Sequence, residues 1–218
     1  SFAAQAGAAG EAPAAEAVFT KHLDAKMSGE LVAASPALAC EPLSNVVAVF
    51  GKIALVQRGT CPFIEKHGYA EAAGAIAVVL VDNDVADLPF PMGGADPGSI
   101  PIPGVMVTQA AGAALEGALA GGSVVVTLDP TPYTGPGAEL LAGFSARGPS
   151  AVDGRLKPEL AAPGLVDSAA VGTGTDAVTN QGTSMATPMV AGAAALVRQA
   201  RPELSALELK AALINATV

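Results

Sequence analysis

From about Leu31 onward, short apolar runs alternate with stretches whose apolar residues recur at helical spacing. Lys52–Gln57 (KIALVQ) predicts a strand, and Arg58-Gly59-Thr60 the turn after it. Phe63–Ala73 predicts a helix with Phe63, Ile64, Tyr69 and Ala73 as its apolar residues, stopped by Gly74. Ala75–Val81 (AIAVVLV) is apolar at every position, the pattern of a strand buried on both faces. Asp82 to Ser99 is a loop rich in Asp, Gly and Pro. Ile102–Val107 resumes as a strand, Thr108 is suited to cap a helix running to about Ala120, and Gly121-Gly122 ends it. Ser123–Leu128 (SVVVTL) adds a further strand, and the whole series predicts one compact module.

Ahead of this module, residues 1–29 are Ala-rich and without a clear period. They predict a loosely packed lead-in, or a strand whose partner is absent from the chain. After the module, Asp129–Gly137 (DPTPYTGPG) holds three prolines and reads as a linker. The remainder opens with segments punctuated by Gly and Pro and continues into a long small-residue helix from about Ser184 to Ala200. A shorter helix is expected from Ser205 to Leu213, with Pro202 between the two and Ser205/Glu208 at capping-box spacing.

Composition narrows the classes of protein. Hydrophobic residues make up 51% of the 218 and aromatics only 4%, so a core must be built from small side chains and close backbone approach. Charged residues are 14%, against roughly 25% in ordinary globular domains, which implies that part of the surface is normally covered. A net charge of -9 argues against nucleic acid as a partner. No membrane span is expected, because the longest charge-free stretch near the end, Ala177–Val197, is interrupted by Thr, Asn, Gln, Ser and Pro. Ser1 is not an initiator and no signal-peptide pattern follows it, so the amino terminus reads as a cut or mature end. Cys40 and Cys61 are 21 residues apart with no CxxC and no His at metal-ligand spacing; two buried thiols and one disulfide both remain open. Asp82, Asp84 and Asp87 share a loop but are expected as solvated turn residues, and no metal site or cofactor is implied.

The densest chemical signal is Gly182–Gly192 (GTSMATPMVAG). A serine opening a small-residue helix sits where backbone N–H groups and the helix dipole favour developing negative charge. Gly182 permits a tight approach, and Pro188 is expected in the first turn, where its missing N–H has no partner. An arbitrary Gly-Thr-Ser is an ordinary helix cap, but the full string resembles the nucleophile segment of the subtilisin-like serine peptidases. Phe144-Ser145-Ala146-Arg147-Gly148-Pro149 is similar to that family's F-S-x-R-G-P run, and Lys157–Gly164 (KPELAAPG) to its K-P-[DE]-[IL]-x-A-P-G run. The resemblance implies Ser184 as the nucleophile, its own N–H as an oxyanion donor, and Thr183 beside the oxyanion site. Gly51–Phe63 (GKIALVQRGTCPF), with Lys66, Ala70 and Ala73-Gly74-Ala75, resembles the protease-associated (PA) domain, inserted in some subtilases upstream of the nucleophile. Such domains often carry a disulfide where Cys40 and Cys61 stand, and this favours the bridge.

These resemblances imply an α/β protein: a β-rich α+β PA domain at 30–130, then the C-terminal part of a subtilisin-like parallel-sheet α/β domain at 131–218, with 1–29 unassigned. Other readings fail. A G-x-S-x-G hydrolase elbow would need Gly where Ala186 stands and a later histidine, yet none follows His67. Gly172–Ala177 matches G-x-G-x-x-A without a helix pattern after it, which excludes a dinucleotide site. Asn215-Ala216-Thr217 is a glycosylation sequon that only a eukaryotic secretory host would use.

The triad order Asp…His…Ser leaves only the serine in this chain. His22 and His67 lack the family's H-G-T-H context and are expected at the surface, and no Asp lies in D-[ST]-G. Asn45, Asn83, Asn180 and Asn215 all lie outside an A-A-G-N context, so the oxyanion asparagine is expected upstream as well. The expectation is part of a secreted or extracellular serine endopeptidase acting on peptide or protein substrates, inactive without the N-terminal part of its catalytic domain. The alternative is a PA interaction or substrate-gating module bearing a serine remnant. In-frame D-[ST]-G and H-G-T-H segments upstream of Ser1 would favour the first, and a signal peptide directly upstream the second.

Overall fold

The computed structural model describes residues 2–6, 10–84, 88–94, 98–131, 141–142, 145–172, 174–175 and 177–216. The chain forms two compact units, residues 1–143 and 144–218.

The first unit is a closed barrel of seven strands: β1 (Phe2–Ala6), β2 (Gly10–Glu16), β3 (Met27–Ala33), β4 (Ile53–Gln57), β5 (Ala77–Val81), β6 (Gly104–Val107) and β7 (Val124–Asp129). Their spatial order is β1-β2-β6-β5-β4-β3-β7. Strands β3 to β6 run parallel, and the other pairings are antiparallel. The short helix α1 (Val46–Val49) precedes β4, α2 (Phe63–Ala72) links β4 to β5, and α3 (Gln109–Gly121) links β6 to β7. Thr108 caps α3 by accepting a hydrogen bond from the Ala111 N–H at 3.1 Å.

Strand β5 shows why its sequence is unbroken by polar residues. Ala77, Val79 and Val81 enter one apolar cluster with Ile53, Leu55, Val105, Val107, Val126 and Leu128. Val78 faces the other way, into a cluster with Ala54, Val56, Ala70 and Ala73, and Leu80 into a third with Phe19, Met92 and Met106. Alternate residues thus serve opposite faces, both covered.

The Ala-rich segment is part of this barrel rather than a lead-in. β1 pairs with β2 and with β7, which closes the sheet, and β2 pairs with β6. Both partners lie within the chain, so the unit reaches back well before residue 30.

Helix α2 packs Phe63 and Ile64 against one apolar cluster and Ala73 into another, as expected, but its most deeply buried side chains are others. Lys66, His67 and Ala70 are its buried positions, and Ile64 and Tyr69 are half-buried. His67, expected at the surface, is wholly enclosed. Asp82, expected as a solvated turn residue, is also fully buried, with Oδ1 accepting from Arg58 Nη1 at 2.5 Å and from the Asn83 N–H at 2.7 Å. Asp87 lies outside the described residues, as do the centre of the 129–137 linker, Phe144 and Thr217.

The second unit contains β8 (Leu165–Ala169), β9 (Ala177–Gln181), α4 (Thr183–Ala200) and α5 (Ala206–Asn215). β8 and β9 form an antiparallel pair. Ser205 caps α5 with a full capping box: its side chain accepts from the Glu208 N–H, and the Glu208 carboxylate accepts from the Ser205 N–H at 2.8 Å. Among the described residues from 145 to 216, none is buried.

Candidate active site

Ser184 is the second residue of α4, immediately after the β9–α4 turn. Gly182 is the N-cap at φ 144°, a backbone conformation that disfavours any side chain. The Gly182 carbonyl accepts from the Met185 N–H at 3.0 Å and the Ala186 N–H at 3.3 Å. The Ser184 hydroxyl and N–H have no hydrogen-bond partner among the described residues, and the side chain is exposed. An unclaimed N–H in the first turn of an eighteen-residue helix is a natural donor to an anion.

One neighbouring motif is drawn to this turn, and a second packs against the first. The Gly182 N–H donates to the Gly164 carbonyl at 2.8 Å, which brings the end of the KPELAAPG run alongside the serine turn. A Cβ on Gly164 would lie 3.1 Å from the Gly182 carbonyl oxygen, so the approach favours glycine there. A Cβ on Gly148 would fall 1.9 Å from the Lys157 carbonyl oxygen, which sets the Arg-Gly-Pro run directly against Lys-Pro-Glu. Glu159 pairs with Lys157 at 2.9 Å and with Lys210 of α5 at 2.6 Å; these hydrogen bonds, Lys210 first, hold its carboxyl below the usual range.

Thr183, also exposed, precedes the serine, and its carbonyl accepts from Thr187 Oγ1 at 2.8 Å. Pro188 lies in the second turn of α4 rather than the first, because the helix starts at Thr183. It therefore removes the amide that would have bonded the Ser184 carbonyl.

Both histidines belong to the first unit. His22 Nδ1 pairs with Glu16 at 2.7 Å, and His67 Nδ1 bonds the Phe63 carbonyl at 2.8 Å. Burial holds the His67 ring neutral, with its pKa lowered to about 4. Its Nε2 has no hydrogen-bond partner among the described residues, and the ring stands edge-on to Phe19 with centroids 5.1 Å apart. Asn45 donates to the Ala33 carbonyl and accepts from the Ser35 N–H, while Asn180 lies within β9 opposite Val166.

Cys40 and Cys61 are joined in a disulfide that ties the loop after β3 to the start of α2. Lys66, part of the PA resemblance, is a buried charge on the helix face marked by the spacing 63, 66, 67, 70.

A model of the PA domain matches residues 27–115, within the barrel. Over 173 residues the chain is 34% identical to the minor extracellular protease Vpr of Bacillus subtilis, covering 77% of this chain and 21% of that protein. Over 153 residues it is 33% identical to the C5a peptidase of Streptococcus pyogenes, covering 69% of this chain and 12% of the peptidase. The structure of the psychrophilic subtilisin-like protease Apa1 from Pseudoalteromonas sp. AS-11 aligns over 98% of this chain and 42% of its own, at 22% identity and a TM-score of 0.45. The chain thus spans about a fifth of Vpr and less of the C5a peptidase. Residues 27–115 of the barrel are a PA domain. Over more than two thirds of its length the chain is similar to subtilisin-like proteases that carry such a domain.

Proposed function

We propose that this chain is part of a secreted serine endopeptidase that cleaves peptide bonds through an acyl-enzyme on Ser184. A histidine from outside the chain, oriented by an aspartate, takes the proton from Ser184 Oγ as the oxygen attacks the peptide carbonyl. The tetrahedral oxyanion accepts hydrogen bonds from the Ser184 N–H and from an asparagine also supplied from outside, with Thr183 alongside. Collapse releases the amine, and water then hydrolyses the ester.

The reading rests on one observation above all. Ser184 stands exposed at the N-terminus of α4 with its hydroxyl and N–H uncommitted among the described residues, in a string matching the family's nucleophile segment. The open surface of the second unit agrees with it: Val152, Leu156, Leu196 and Leu207 are all exposed, as expected of a fragment of a larger core. The kinship to an extracellular protease supports the secreted location.

In subtilisin, losing the triad histidine costs about 10⁶ in kcat. The 218-residue chain alone is therefore expected to be inactive on a fluorogenic peptide, with Ser184→Ala indistinguishable from it. Ser184-dependent turnover by the isolated chain at an ordinary protease rate would refute the division of the triad.

A further inference from the structure

The chemistry left unexplained by the serine segment gathers at the disulfide. Lys66 is wholly buried, yet its ammonium joins none of the ion pairs found among the described residues. Its Nζ donates to the Leu38 carbonyl at 2.5 Å and to Cys40 Sγ at 3.4 Å. Thr60 Oγ1 lies 3.5 Å from the same sulfur. Two donors thus converge on Cys40 Sγ, and none reaches Cys61 Sγ among the described residues. Both cysteines are partly exposed, so a small thiol has access.

We propose that Cys40–Cys61 is a thiol-exchange site, opened by a dithiol reductant that attacks Cys61 and expels Cys40 as a thiolate paired with Lys66. The physical basis is the counter-charge. A buried ammonium hydrogen-bonded to a carbonyl and a disulfide sulfur, with the neighbouring Glu65 carboxylate offsetting its desolvation only in part, is poorly compensated. Reduction places a negative sulfur beside it, so the open form gains an ion pair that the closed form lacks. A neighbouring lysine lowers a thiol's pKa, and a lower leaving-group pKa speeds exchange.

The step balances as follows. A reductant thiolate bonds to Cys61 Sγ, the protein S–S bond breaks, and its electron pair goes to Cys40 Sγ. The reductant's second thiol loses its proton to solvent and attacks the mixed disulfide, releasing Cys61 as a thiolate that is protonated by water. The reductant is oxidised to its disulfide by two electrons, and the protein bond is reduced by two. The outcome is a loop between β3 and α1 released from the start of α2. None of this depends on Ser184.

The test uses the full 218-residue chain. In Cys61→Ser, Cys40 is a free thiol beside Lys66, and the pH dependence of its alkylation by iodoacetamide gives its pKa. The expected value is at least one unit below the ordinary thiol value of about 8.5. Cys61→Ser combined with Lys66→Met should return it to about 8.5 or above. In the disulfide form, Lys66→Met should slow reduction by dithiothreitol about tenfold, with a smaller slowing in Thr60→Val. A Cys40 thiol titrating at about 8.5 or higher with Lys66 present overturns the proposal, and so does a Lys66→Met reduction rate equal to the parent's. Should Lys66→Met fail to fold, the Cys61→Ser value decides alone.

Discussion

His67 shows how one enclosed side chain couples the barrel to pH. The unfolded chain protonates this ring near 6.5, the folded one only at about 4. Unfolding therefore takes up a proton between those values. The stability linked to the neutral ring is complete above pH 6.5 and is lost as pH falls toward about 4. The loss amounts to roughly 3 kcal/mol. Urea titrations of the parent across this window should show falling stability, and His67→Gln should remove most of the slope. An equal slope in the variant would place the acid sensitivity elsewhere. The ring is enclosed because Gly104, on β6, leaves it room: a Cβ there would lie 2.4 Å from Nε2. That relation joins residues far apart in sequence, and neither residue's local context signals it. Ser184 is the opposite case, since its chemistry is carried by contiguous residues and was legible directly.

At the scale of the element, α3 offers two glycines with opposite consequences. Alanine favours a helix interior over glycine by about 1 kcal/mol. At Gly117 a Cβ meets nothing within 4 Å, so Gly117→Ala should stabilise the barrel by about that much. At Gly112 a Cβ would fall 2.0 Å from Val81 Cγ1, because the helix rests on β5 through that residue. Gly112→Ala should therefore destabilise by about 1–3 kcal/mol despite the better helix propensity. Thermal melts of the two variants should move in opposite directions, and parallel shifts would contradict the close packing of α3 on β5. The strands from β4 to β7 were legible because they are apolar runs of the right length, bounded by Gly, Pro and Asp. β1 and β2 were not, since alanine carries neither a strand preference nor a hydrophobic period, and their pairing to β7 and β6 is decided by partners more than 80 residues away. α2 was legible as a helix whose Phe63, Ile64 and Ala73 pack inward, but its most deeply buried side chains are a lysine and a histidine, which a pattern of large apolar residues does not pick out.

On the whole-molecule scale, the two units differ in kind. The barrel holds three buried apolar clusters, whereas no described residue from 145 to 216 is buried. Residues 1–143 alone should unfold in a single cooperative transition, while 144–218 alone should show none by circular dichroism, lacking the burial that offsets chain entropy. A sharp melt of the isolated 144–218 segment would contradict the reading of it as part of a larger core. The low charge content of 14% has the same cause under the proposed function: the Ala- and Gly-rich helix α4 is built to be covered. The central claim, that Ser184 is a nucleophile activated only by groups from outside this chain, is tested most directly by labelling with a fluorophosphonate and mapping the modified peptide. The probe should be applied to the 218-residue chain alone and to the same chain joined to the upstream segment of its own reading frame. The account predicts an adduct on Ser184 in the joined protein, none in the chain alone, and none after Ser184→Ala. Labelling of a different serine in the joined protein, or equal labelling of Ser184 in the chain alone, would contradict it.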